Sequence, residues 1–388
     1  MGFMNGRLTF VRYKVSGAGP LPFGEETLET IAQHAIGKHG AAEAQDGVSF
    51  GWSGGDHVLD VNFDLAKNVL GDALHLAWRI DTDKVPSDLL KAYTRIEVDA
   101  RAQLNPSGKP TKAQREEAKE AAEARAQAEA ADGRYRRMKH FPLLWDGAAG
   151  ILYAGTTSPS ALDRLHCLFK ETFDRTLEPL TAGRLAEDQA AARGESIAEA
   201  SEAADTLSLF NGDDGLQAVA WSNPDGAHRD FWGNEFLIWL WHTLLMDGDT
   251  IPLADGSEAT VMMAKTLTLD CPRGETGRDS LTNEGPTKMP EAFRALQAGK
   301  LPRKAGLVIV RHGQQYELTL QAETMSVSGA ALPKAEEVSG HEAYLARIDG
   351  LRHLVETLDL IYEAFGRRRN GHDWAGEVGR IRDWLSAA

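Results

Sequence analysis

Two short segments carry residue types at spacings that catalysis uses. GWSGG, residues 51–55, fits the G-x-S-x-G pattern in which a serine sits on a strained strand-to-helix turn and acts as a nucleophile. The residues after it, DHVLDVNFDL, alternate as a strand does, so the required helix is missing and Ser53 is expected on a β-turn. LVIVRHGQ, residues 307–314, matches the strand-plus-RHG pattern of a phosphoryl-accepting histidine. The residues after His312 read as strands and one long helix, not as the large α/β domain needed to complete such a site. His312-Gly313 is therefore expected to be a hairpin turn between LVIV and YELTL. His228-Arg229-Asp230 has the order of a kinase catalytic triplet without its companion loop. No phosphate-cradling glycine motif occurs, and the acidic residues show no metal-ligand spacing. The two cysteines, Cys167 and Cys271, make no zinc site. No cofactor and no metal are expected.

The basic residues suggest a different chemistry, the binding of phosphate. Residues 109–140 hold nine Lys/Arg against six Asp/Glu. On a helix, Lys112, Arg115 and Lys119 share one face, with Glu116, Glu120 and Glu123 turned partly away. Arg134, Arg136, Arg137, Lys139 and His140 form a dense group at the end of the same polar helix. A solvated helix with i,i+4 charge pairs and a cationic C-terminus has the same pattern. Arg367, Arg368 and Arg369, closing the last long helix, share that plainer reading. The net charge of −15 is unevenly spread: residues 1–140 carry 19 Lys/Arg against 20 Asp/Glu, residues 141–388 carry 23 against 37. Phosphate binding depends on local potential, so the N-terminal part remains compatible with a polyanionic partner.

These groups must be positioned by folded elements. The first fifteen residues alternate as a strand, residues 25–38 are expected to be helical, and VSFGWSGGDHVLDVNFDL and ALHLAWRID supply further strands. Together they form an N-terminal α/β part, 1–85. Pro86 opens an amphipathic helix with Leu89, Leu90, Tyr93, Ile96 and Leu104, which NPSGKP breaks. A second helix, TKAQREEAKEAAEARAQAEAADGRYRRMK, has almost no large apolar residue and cannot be buried. Residues 86–140 are thus expected to be a projecting charged helical hairpin. FPLLWDGAAGILYAGTTS, a strand pair around Asp146-Gly147, and a helix over 159–173 return the chain to the central domain across 141–180. Residues 181–230 hold three basic and ten acidic residues and are expected to be an acidic linker or excursion, partly disordered or loosely helical. A C-terminal α+β unit spans 231–366, with a buried helix in GNEFLIWLWHTLLM, and 367–388 is a C-terminal extension. The expected class is α+β with mixed or antiparallel sheets. The opening MGFMNGRLTFVRYKV lacks the apolar core of a signal, and FLIWLW is far short of the roughly 20 residues of a membrane span. A cytoplasmic protein without membrane contact is expected.

That order of elements resembles the recombination-associated RdgC family. The resemblance is carried by the charged helix pair, by LLWDGAAGILYAG with Trp145 and Gly150, by ALDRLHCLFKETF, and by EFLIWLW. The Ala298-Gly299-Lys300 turn before paired strands and the closing helix complete it. It covers most of residues 1–366 as layout and spacing rather than as an invariant motif. It departs in the acidic stretch 181–230 and in the added HDWAGEVGRIRDWLSAA. The resemblance implies an RdgC-like fold and a homodimer closing into a ring around double-stranded DNA. It further implies binding without sequence preference, nucleoid association, and a restraint on RecA access to DNA. In this chain it implies DNA-contacting positions at Lys112, Arg115, Lys119, Arg134, Arg136, Arg137 and Lys139, and more weakly at Lys300, Arg303 and Lys304, with no catalytic centre. Two other readings stand beside it: a protein-interaction module that docks through the hairpin, and a phosphatase or nuclease.

Overall fold

Leu8–Val15 forms β1, apolar on both faces because it lies at the joint of the whole sheet. Leu8 and Phe10 enter one core, Val11 and Tyr13 the other. On one edge β1 pairs with Ser326–Ala331 (β14), on the other with Ile151–Ala154 (β7). Beyond β14 lie Gln314–Gln321 (β13), Leu301–Arg311 (β12), Glu258–Asp270 (β10) and Asp279–Asn283 (β11). Beyond β7 lie Arg136–Asp146 (β6), Ala73–Asp83 (β5), Val48–Ser53 (β3) and Glu43–Ala44 (β2). Short strands Val69–Leu70 (β4), Leu177–Pro179 (β8) and Thr250–Pro252 (β9) pair at the margins. All these strand pairings are antiparallel, and helices cover the sheet, so the chain is α+β. This computed structural model describes residues 2–17, 23–38, 43–44, 47–195, 219, 221, 229–274, 276–333 and 339–387.

Two helical layers cover the sheet. Glu25–Gln33 (α1) and Pro159–Phe173 (α5) pack on the N-terminal strands around Trp52, Trp78, Trp145 and Phe169. Leu65–Asn68 (α2) is a single turn, and Ser87–Gln103 (α3) and Lys112–Ala130 (α4) form a separate pair. The second layer comprises Ala182–Ala192 (α6), Trp232–Met246 (α7), Pro290–Gln297 (α8), His341–Arg369 (α9) and Trp374–Ala387 (α10). Trp232 to His242 are all buried, the polar Asn234, Glu235 and His242 along with the apolar residues.

Several expectations need correction. The first helix stops at Gln33 rather than residue 38. The second strand expected within VSFGWSGGDHVLDVNFDL does not form. The Asp60 carboxylate accepts hydrogen bonds from the backbone N–H groups of Asp56 and Asn62 and from Lys67 Nζ, gathering the segment into a loop. Of the acidic stretch, α6 is a packed helix with Leu185, Ala186 and Ala190 buried, while 196–218, 220 and 222–228 lie outside the described residues. The closing helix ends at Arg369 with the arginine run that the sequence places there, and beyond it α10 buries Val378, Ile381 and Leu385.

Candidate nucleic-acid interface

The hairpin α3–α4 is inserted between two strands that pair directly. β5 ends at Asp83, β6 begins at Arg136, and those two residues are register partners. Thr111 caps α4 and forms a capping box with Gln114, and the Asn105 and Gln114 side chains bond each other across the turn at 2.6 and 3.2 Å. Ala118, Ala122 and Ala126, at four-residue steps, are buried along the seam with α3. Apart from these three no residue of α4 is buried, and their methyl-sized side chains let the two helices approach closely. Both helices pack on each other far more than on anything else, so the hairpin projects from the sheet.

A polar clasp closes its base. The Tyr93 and Tyr135 hydroxyls both donate to Glu129, at 2.7 Å in their shorter bonds, and the Arg125 guanidinium lies 4.1 Å from the centre of the Tyr93 ring. Those phenols hold the Glu129 carboxyl below the usual carboxylate range, and Tyr135 in turn is pushed up to about 12. Arg136 bonds Asp83 through two nitrogens at 3.1 Å each.

The hairpin helix ends at Ala130 and does not run to Lys139. Gly133, with φ +78°, turns the chain, and ladder pairing with β5 draws residues 136–140 into a strand. Strand alternation then divides the expected cluster. Arg137 and Lys139 fall on the face of Ile80 and Phe141, Arg136 and His140 on the face of Arg79 and Asp81. Arg134 is drawn to Asp132 at 3.3 Å and Glu129 at 3.9 Å, and Lys119 to Glu123 at 3.9 Å. Lys112, Arg115, Arg137 and Lys139 are exposed and form no ion pair with the described residues. The candidate positions on α4, Lys112, Arg115 and Lys119, span roughly 10 Å at 1.5 Å per residue, in the half of the helix nearest the hairpin turn.

The C-terminal candidates lie in another part of the sheet. Lys300 Nζ is 2.8 Å from Asp279. Arg303 is 2.8 Å from Glu323 and 3.6 Å from Asp270, and lies over the Trp221 ring. Both are mostly buried and their charges are matched; of the three, only Lys304 is exposed and unpaired among the described residues. Sequence reasoning missed the acids Asp83 and Glu129 that restrain Arg136, Arg125 and Arg134, because these partners meet only in the fold. It also passed over the exposure of Ile96 and Leu104 on α3 and at the hairpin tip.

The two catalytic-looking motifs occupy structural positions. Ser53 ends β3, is fully buried, and donates its hydroxyl to the Asp60 carbonyl at 2.7 Å, so no substrate reaches its oxygen in this conformation. His312 and Gly313, with φ +51° and +74°, make the two-residue turn joining β12 to β13. The neighbouring Arg311 is buried, held by Asp255 and Glu356 at 2.5 and 2.9 Å. Among the described residues, no group of three or more His, Cys, Asp or Glu is placed to hold a metal, and no helix is long and apolar enough to cross a membrane. No family model matches this sequence, and no curated protein matches it.

Proposed function

We propose that the chain is a duplex DNA-binding protein without sequence preference, acting as a ring-shaped homodimer of the RdgC type that limits RecA access, and associated with the nucleoid. One observation carries this reading: a hairpin that projects from the body bears Lys112 and Arg115, and the strand at its exit bears Arg137 and Lys139, all four exposed and without an ion pair among the described residues. Phosphate recognition needs only positive charge along a line, and duplex DNA presents a phosphate about every 3.4 Å per strand. Lys112, Arg115 and Lys119 span roughly 10 Å of α4, enough to face about three of them. The acidic excess of the body, 37 Asp/Glu against 23 Lys/Arg over residues 141–388, acts only weakly at the hairpin, since screening confines potential to about 10 Å at 0.1 M salt.

The test is charge reversal. Arg137→Glu with Lys139→Glu should weaken duplex binding at low salt to a similar degree for unrelated sequences, and Lys112→Glu with Arg115→Glu should do the same. Unaltered affinity in both double variants would contradict the placement. A second reading, docking of a protein partner, is favoured by the exposed Ile96 and Leu104 on the same hairpin. Under it, Ile96→Ser with Leu104→Ser would abolish capture of the partner while the lysine and arginine variants would not.

A further inference from the structure

Two histidines far apart in the sequence are brought together at the surface. His312 is exposed on the two-residue turn between β12 and β13, and His353 is half-buried in the middle of α9. Their ring centres are 5.6 Å apart, with His353 Nε2 and His312 Nδ1 separated by 3.4 Å. That separation is long for a hydrogen bond, whose usual reach ends at about 3.2 Å. It is the length of a tetrahedral edge. Two nitrogens each about 2.05 Å from a zinc ion, at the tetrahedral angle, lie about 3.35 Å from one another. Tyr316, fully buried on β13, holds the inner ring in place. The Tyr316 hydroxyl donates to Gln314 Oε1 at 3.3 Å, and its oxygen accepts from His353 Nδ1 at 2.6 Å. With its proton on Nδ1, His353 presents a bare Nε2 toward His312. Metal-binding histidines are oriented in this way, the far ring nitrogen donating to an oxygen.

The donor set selects the ion. Imidazole nitrogens suit zinc, copper and nickel, whereas magnesium and calcium take oxygen ligands. The neighbouring Arg311 does not repel a dication, because Asp255 and Glu356 hold it at 2.5 and 2.9 Å and outnumber its charge. Glu356 lies one helical turn beyond His353 but is spent on Arg311, so the protein offers two ligands rather than three. We propose that His353 Nε2 and His312 Nδ1 bind a zinc-type transition-metal dication, with water completing its shell and the ion tying the β12–β13 turn to α9. This site is separate from the hairpin and its test involves no DNA.

Titration calorimetry of the untagged full chain with Zn²⁺, after chelator treatment, is the test. A chain with 12 histidines and 57 acidic residues gathers metal at other places, so excess Mg²⁺ is present to occupy the carboxylates. One saturable site per chain is expected, at least tenfold weaker in His312→Asn and in His353→Gln. Asparagine suits the positive φ of +51° at residue 312, so the first variant keeps the turn. His372→Asn, which alters another exposed histidine, should leave the affinity unchanged. Tyr316→Phe keeps both ligands and removes the group that orients one of them, and should weaken binding about tenfold. Should that variant melt early, the two histidine variants decide alone. Zn²⁺ should also raise the melting temperature of the unaltered chain and not that of His312→Asn. Absence of a saturable site at micromolar Zn²⁺, its loss to Mg²⁺, an equal loss in His372→Asn, or affinity unchanged in His312→Asn would each overturn the assignment.

Discussion

The hairpin α3–α4 and the layer formed by α7, α9 and α10 are both helical, yet they are held by opposite means. In the layer, Trp232, Trp241, Phe236, Tyr362 and Phe365 are less than 2% exposed, and α7 is buried around its circumference. Burial at about 25 cal/mol per Å² of apolar surface fixes that region. In the hairpin, α3 buries no residue and α4 buries three alanines. Its order comes from caps, a methyl seam and the Glu129 clasp, and its long charged faces stay in water. The difference teaches where to look for stability and where for a partner: one region holds the body together, and the other can be altered without disturbing it.

The largest effect should come from the layer. Phe236→Ala is expected to cost about 3–5 kcal/mol, measured by urea unfolding. Replacing 87–130 by a short Gly-Ser linker should leave the unfolding midpoint of the body almost unmoved; a loss as large as that of Phe236→Ala would erase the distinction. Acid should separate the regions next. His75 is buried, its Nε2 has no partner, and desolvation depresses it from 6.5 to about 4. The folded state therefore takes the proton less readily than the unfolded one. Stability is full above about pH 6.5 and falls as pH drops toward 4, by about 3 kcal/mol in total. His75→Gln should flatten that slope. The clasp behaves differently: Glu129 is held below its ordinary range, so its contribution persists above the unfolded carboxylate pKa and is lost only as pH falls through the lower folded value. Hydrogen exchange in the hairpin should accordingly stay slow while the body weakens.

Smaller effects refine the picture. Ala122→Leu should overpack the seam by about 1–3 kcal/mol, seen as faster exchange within 87–130 with the body's midpoint unchanged. Asp83→Asn breaks a partly exposed pair and should cost under about 1 kcal/mol. By freeing Arg136 it should also strengthen duplex binding slightly at low salt.

The local features were legible in the sequence. NPSGKP and the run of helix formers announced the hairpin, FLIWLW the buried α7, and His312-Gly313 its turn, because each depends on neighbours within a few residues. Features that depend on distant partners were not. Nothing in LTFVRYKV says that it pairs with residues 326–331, more than 300 positions away, and sits between two cores. Helix propensity alone carries α4 past Ala130; ladder bonds to β5 end it and place Arg137 and Lys139 on a different face from Arg136. Lys300 and Arg303 look like free cations until Asp279, Asp270 and Glu323 are brought beside them. Local pattern reports an element's type, whereas charge matching is a tertiary property.

The most direct measurement is the affinity of the full chain for a nonspecific fluorescent duplex, titrated with salt and repeated with 87–130 replaced by the linker. The proposed function predicts binding whose log–log salt slope is about −0.9 per phosphate contacted, with affinity and slope both reduced when the hairpin is removed and reduced further when Arg137→Glu and Lys139→Glu are added. Absence of binding at low salt, or binding that survives the replacement unchanged, would contradict it.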